Sequence, residues 1–231
     1  ENLQIDTLLM KSKDVKITAG GNYSFEGSSD IQLTADFEGT EALKAFIPLE
    51  EFKTKGTLNA HLTGTMDSLT LNATLDTDST VYQEMTLDAL HLDANAYIAG
   101  PDTLFDAQLT AYNYFSGGFQ LDSIEAKVEG NLDSMLVMAD VSNSDLSTEI
   151  ETGFVPGERM RFTLKDWNIK YKKQQWALQQ TPAVIQIDSV SYRINNFRMA
   201  TSDADTAQYI VADGLISTKG EENFKLEISN I

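Results

Sequence analysis

The chain has 231 residues, 42% of them hydrophobic and 23% charged, which is enough apolar material for one long all-β domain or two smaller ones. It contains no cysteine, so disulfides, thiolate metal sites and cysteine nucleophiles are excluded; such a composition suits a bacterial envelope but proves no compartment. Of its formal net charge of −18, the stretch from Gly56 to Glu158 carries −16, with 17 acidic residues against the single base Lys127, and a surface of that sign repels nucleic-acid phosphates.

In chain order, residues 1–55 are expected to form N-terminal strands and a short helix, 56–152 a repeat region and 153–231 a set of C-terminal strands, all within one continuous segment. The chain begins without methionine and stops in the strand-like FKLEISNI, which reads as a piece excised from a longer protein. No apolar run approaches the roughly 20 residues needed to span a bilayer as a helix. The one helical pattern is TEALKAFIPLEEF, Thr40 to Phe52. Leu43, Phe46 and Ile47 sit there at i, i+3 and i+4, and Pro48 ends the turn.

A repeat follows. LNAHLTGTMDS, from Leu58 to Ser68, returns 66 residues later as IEAKVEGNLDS, from Ile124 to Ser134. The downstream halves, LTLNATL and MLVMADV, alternate apolar and polar residues with period two, as does Phe105–Ala107–Leu109–Ala111. That is the pattern of strands with one buried face. GTMDS and GNLDS supply turn residues for tight reversals between antiparallel neighbours. In TLDALHLDANAY the apolar phase switches between Leu87–Ala89 and Leu90–Leu92–Ala94–Ala96, which predicts a bulge or bend. The C-terminal third holds both tryptophans, Trp167 and Trp176, and a basic group of Arg159, Arg161, Lys165, Lys170, Lys172 and Lys173. Its alternation reappears in Val190–Tyr192–Ile194 and Phe224–Leu226–Ile228.

Residues fit for catalysis are sparse. His61 and His91 both fall on the polar phase of their strands, with no second histidine at metal-ligand spacing. Asp76 with Asp78, and Asp203 with Asp205, lack the closing glutamate of a calcium loop. There is no phosphate-binding glycine loop, no GxSxG and no HExxH. The expectation is a protein that is not an enzyme and uses no metal or cofactor.

The apolar rows carry alanine at their centre: Ala60, Ala73, Ala94, Ala96, Ala107, Ala126 and Ala139. In a closed sandwich these alanines pack under large residues of a second sheet. On a single curved sheet they leave room, wide enough for an acyl chain. Stacked repeats favour the second arrangement, since they build a continuous concave surface.

GTMDSLTLNATL followed by TLDALHLDANAY resembles the diffuse strand pattern of the TamB family and its AsmA-like relatives. A second stretch, WALQQTPAVIQIDSVSYRINNFRM with VADGLIS and FKLEISNI, is similar to the family's later strands. The resemblance implies a β-taco, an elongated antiparallel sheet folded into a trough around an apolar groove. It further implies a periplasmic protein, anchored in the inner membrane, that serves phospholipid transport between membranes and outer-membrane biogenesis. An outer-membrane barrel partner would be met through regions outside this chain. On that reading Leu58, Leu62, Leu69, Leu71, Leu92, Phe105, Leu109, Ile124 and Val137 line the groove and touch phospholipid acyl chains.

Two other readings stand beside it. One is a structural module with a dry core whose open edges bind strands of outer-membrane protein clients. The other is a carbohydrate-binding sandwich, for which Tyr112, Tyr114 and Phe115 form the only aromatic cluster; a hydrophobic loop tip explains that cluster better. Open edges around Ile5–Leu9 and Phe224–Ile228 are also expected to self-associate.

Overall fold

The computed structural model describes residues 2–39, 52–202, 208–220 and 222–229. They form seventeen strands of one antiparallel sheet, and the helical element among them is a 3-10 turn at Gly100–Asp102. The all-β, antiparallel architecture expected from period-two alternation is therefore the observed one. The expected helix falls on residues 40–51, outside the described residues. Its last expected residue, Phe52, instead opens a strand.

The chain divides into two compact units, Glu1–Glu125 and Ala126–Ile231. The first contains β1 (Asn2–Lys11), β2 (Val15–Ser24), β3 (Ser29–Phe37), β4 (Phe52–Thr65), β5 (Ser68–Tyr82), β6 (Met85–Leu87), β7 (Ala89–Ile98), β8 (Leu104–Ser116) and the start of β9 (Phe119–Asn131). It is a meander: β1 to β5 pair in sequence, and β6 and β7 lie end to end between β5 and β8. The break between β6 and β7 is Asp88, where the sequence switches phase. Its carboxylate accepts a hydrogen bond from Asn113 Nδ2 at 3.0 Å, and Asn113 is itself left-handed with φ 55°. Asp78 is bulged out of β5 at the matching level, where the β4–β5 register shifts. These irregularities flip the alternation in successive strands together, so the apolar side chains stay on one face.

The second unit continues β9 and adds β10 (Met135–Ser142), β11 (Leu146–Val155), β12 (Met160–Tyr171), β13 (Gln174–Leu178), β14 (Ala183–Ile187), β15 (Ser191–Thr201), β16 (Tyr209–Ser217) and β17 (Asn223–Ser229). β13 and β14 share the space between β12 and β15. Its turns repeat one device. The side-chain oxygen of Asn131, Asn143 or Asp188 accepts backbone N–H groups two and three residues on, at 2.7 to 3.0 Å. For Asp188 the Val190 amide, then the Ser191 hydroxyl, hold its pKa below the ordinary carboxylate value.

The units bury their apolar residues differently. In the second, Leu164, Leu178, Ala183 and Met199 form a closed core, flanked by Ile150, Trp167, Ile169, Trp176, Ile185 and Phe197. Both tryptophans belong to it, and Trp167 Nε1 donates to Thr148 Oγ1 at 3.0 Å. In the first unit the buried apolar residues are Val15, Ala19, Ala35, Phe37, Ala111 and Leu121, and most of the other residues on its apolar face are half-buried. Large hydrophobic residues such as Leu8, Met10, Ile98 and Leu104 are about 40% exposed or more.

Candidate functional site

In an antiparallel ladder, directly paired residues project to the same face. Register therefore assembles the sequence-predicted residues of the first unit into rows across the sheet. One row runs Ile17, Ala35, Leu58, Leu75, Leu92, Leu109; the next is Ala19, Leu33, Ala60, Ala73, Ala94, Ala107; the third is Gly21, Ile31, Leu62, Leu71, Ala96, Phe105. Leu69 lies one step further, between Gly64 and Ile98. Seven of the nine predicted residues, Leu58, Leu62, Leu69, Leu71, Leu92, Phe105 and Leu109, share this one face.

All seven are half-buried. The alanine row lies between two leucine-rich rows. Coverage is graded along the strands. The row Val15, Phe37, Gly56, Thr77, Leu90, Ala111 is the best covered, with Ala111 2% exposed, whereas Ile98 at the other end is 40% exposed. The face is more deeply buried in that row than at Ile98. None of the residues in these four rows is ionisable.

The remaining two residues sit elsewhere. Ile124 is half-buried on β9 in the first unit, and Val137 is on β10 in the second, opposite the buried Thr152. Val137 thus belongs to the face of the unit with the closed core. Tyr112, Tyr114 and Phe115 are not at a loop tip: they lie within β8, and their strand parity splits them between its two sides. Tyr114 donates from its hydroxyl to Met85 Sδ at 3.4 Å.

The opposite face of the first unit is polar and holds pairs that spacing in the sequence did not reveal. His61 Nε2 lies 2.8 Å from Asp30 Oδ1 across the β3–β4 ladder. His91 is held by two carboxylates, Asp76 Oδ1 at 2.6 Å from Nδ1 and Asp93 Oδ2 at 2.8 Å from Nε2. The hydrogen bond to Asp76, then that to Asp93, raises its pKa. Because each carboxylate engages a different ring nitrogen, the three groups do not converge on a point. No group of three or more metal-ligating side chains occurs among the described residues. A concavity of about 330 Å³ opens over this face, lined by Gln32, Thr34, Asn59, His61, Asn72, Thr74, Asp93 and Asn95 among others, with no aromatic platform for a sugar ring. Asp203 and Asp205 lie outside the described residues.

No described helix is long and apolar enough to cross a membrane. No family model, curated protein or solved structure matches this chain.

Proposed function

We propose that the first unit is a lipid-conducting surface, on which phospholipid acyl chains lie along the Ala19–Ala107 lane between the flanking leucine rows. The observation that carries this reading is the continuous, uncharged apolar face, buried to half-buried, that register builds from β2 to β8. An acyl chain gains from such a surface about 25 cal/mol for each Å² of apolar area removed from water, with no directional bonding that would hold it in one place. Weak, non-directional contact suits passage better than storage. The more exposed end near Leu69 and Ile98 gives a headgroup access to water while the tails lie against the sheet.

On this reading the chain is a module of a TamB-like periplasmic protein anchored in the inner membrane, serving phospholipid transport between membranes and outer-membrane biogenesis. It performs no catalysis and needs no cofactor. The second unit, with its closed core, is support. An outer-membrane barrel would be engaged through other parts of the parent protein.

A second reading is favoured by one feature, the exposed apolar edges. Leu3, Leu8, Leu9 and Met10 of β1 and Leu226 and Ile228 of β17 are each about half exposed or more. These edges suit strand addition by client β-strands of outer-membrane proteins, with a dry face in the first unit. Native mass spectrometry of the purified chain separates the two. The conduit reading predicts co-purified phospholipid; a lipid-free chain that captures unfolded β-strand peptides would support the second.

A further inference from the structure

The basic group that the sequence gathers between Arg159 and Lys173 is taken apart by the fold. Lys165 Nζ pairs with Glu151 Oε1 at 3.1 Å, Arg159 Nε with Asp188 Oδ2 at 3.5 Å, and Lys172 Nζ lies 5.2 Å from the centre of the Tyr171 ring. Lys170 makes no ion pair among the described residues, and it lines a concavity of about 360 Å³ in the second unit. Register explains the hollow. On the side of the sheet away from Ile150, Trp167 and Ile169, which pack on the core, one row runs Ser147, Lys170, Gln175 and the next runs Glu149, Asn168, Ala177. Ala177 is short, so the longer side chains around it stand as walls over a low floor.

The two rows differ in chemistry. Ser147, Lys170 and Gln175 can each donate a hydrogen bond. Glu149 accepts, and so does Asn168, whose Nδ2 is engaged by the Asp166 carboxylate at 3.0 Å and whose Oδ1 remains as an acceptor. Gln179, at the far wall, donates from Nε2 to the Ala177 carbonyl at 3.3 Å, which likewise leaves its Oε1. Lys170 and Glu149 are diagonal neighbours in the β11–β12 ladder, about 7 Å apart at their Cα atoms, and they make no ion pair with each other. A single dipolar molecule can reach both.

We propose that this hollow binds a phosphoethanolamine group, with the phosphoryl oxygens on Ser147, Lys170 and Gln175 and the ammonium on Glu149, Asn168 and Gln179. Three donors suit the three oxygens of a phosphoryl group, and the three N–H groups of an ammonium suit three acceptors. Hydrogen bonds to ionised groups are the strong ones. The sign of the surroundings agrees: Lys172 and Lys173 lie in the turn beyond Lys170, and Asp166 lies on the other side of Asn168. The site gives the second unit a ligand of its own, and it stands whether or not acyl chains lie on the first.

The test is titration of the isotope-labelled chain with soluble phosphoethanolamine, inorganic phosphate and ethanolamine, followed through its amide resonances. None of the three carries an acyl chain, so the result does not depend on the apolar face of the first unit. We expect saturable shifts on β11, β12 and β13, and an affinity for phosphoethanolamine at least about tenfold above that for either half alone, because each half lacks the hydrogen bonds to one charged group. Lys170→Gln should weaken phosphoethanolamine by about tenfold and leave ethanolamine unchanged, while Glu149→Gln should weaken it by a similar factor and leave inorganic phosphate unchanged. Both side chains are exposed, so circular dichroism of the variants should match the parent. Equal affinities for phosphoethanolamine and inorganic phosphate would overturn the dipolar site, and shifts that fail to saturate or map elsewhere would overturn the site altogether. Vesicles then identify the source of the group. Flotation with phosphatidylethanolamine vesicles that both Lys170→Gln and soluble phosphoethanolamine diminish assigns the site to headgroups in a membrane; soluble binding without such flotation assigns it to the free ester.

Discussion

Gly64 and Gly130 occupy the same place in the two copies of the repeat, with φ of 116° and 149°. A Cβ at Gly64 would strike the backbone carbonyl of Ser68; at Gly130 it would strike that of Ser134, the equivalent residue 66 positions on. The repeat in the sequence is thus a repeat in backbone geometry, where two strands approach too closely for any side chain. Gly64→Ala and Gly130→Ala should each destabilise by about 2 kcal/mol, from positive-φ strain and displacement of the facing strand. Gly153→Ala, with no positive φ and only ordinary contacts around its Cβ, should stay within about 0.5 kcal/mol. Urea denaturation followed by circular dichroism measures all three.

His91 makes a prediction with a definite sign. Its pKa is raised in the folded state, so the stabilisation it contributes is fully present below its unfolded value near 6.5 and is lost as pH rises through the folded pKa. The melting temperature of the parent should exceed that of His91→Gln more at about pH 5.5 than at about pH 8.5. An equal gap at both pH values would mean the Asp76 and Asp93 pairings contribute nothing in solution. Both histidines are legible in the sequence as polar-face residues, but their partners are not. Asp30 lies 31 residues from His61 and Asp76 lies 15 from His91, and only the register of β3 on β4 and of β5 on β7 brings them together.

At the scale of the strand, alternation carries most of the information. The phase switch after Leu87 marks a real interruption at Asp88, because a face kept apolar through a bulge must change parity in the sequence. The seven leucine and phenylalanine positions on the first unit's face are legible for the same reason. What alternation cannot tell is which rows another part of the chain covers. Val137 reads like Leu71 in the sequence, yet it belongs to the unit whose centre is closed by Leu164, Leu178, Ala183 and Met199. Those residues come together through the β12, β13, β14 and β15 pairings, in a region without the repeat. Phe52 reads as helical because an i, i+3, i+4 pattern precedes it, but cross-strand pairing with Tyr82 draws it into β4.

The two kinds of burial predict opposite tolerances. Leu164→Ala, at a position 4% exposed, should cost about 3 kcal/mol by leaving a cavity. Ala73→Leu adds volume in the lane of the first unit. On a face that is open in the absence of lipid it should change stability by less than about 1 kcal/mol, whereas overpacking a dry core costs about 1–3 kcal/mol. Thermal and chemical denaturation of the two variants, beside the parent, decide this. A loss at Ala73→Leu as large as that at Leu164→Ala would place the lane inside a packed core.

For the whole molecule, acidity and apolar exposure combine. A net charge of −18 keeps the chain dispersed in water while one unit offers a broad hydrophobic face. Ordinarily such a face is covered by a second layer or occupied by a ligand. The proposed occupant is the acyl chain of a phospholipid. Leu71 sits at the centre of that face, paired with Leu62 and Ala96, and Thr70 next to it projects the other way, paired with Thr63 and Tyr97. The most direct measurement is the thermal stability and co-purified phospholipid of the parent, Leu71→Asp and Thr70→Asp. A carboxylate at position 71 would lie against acyl chains, where an unpaired charge costs several kcal/mol. Leu71→Asp is expected to keep its fold and lose its lipid, while Thr70→Asp keeps both. A Leu71→Asp protein that melts far below the parent, or that retains its lipid, would contradict the conduit.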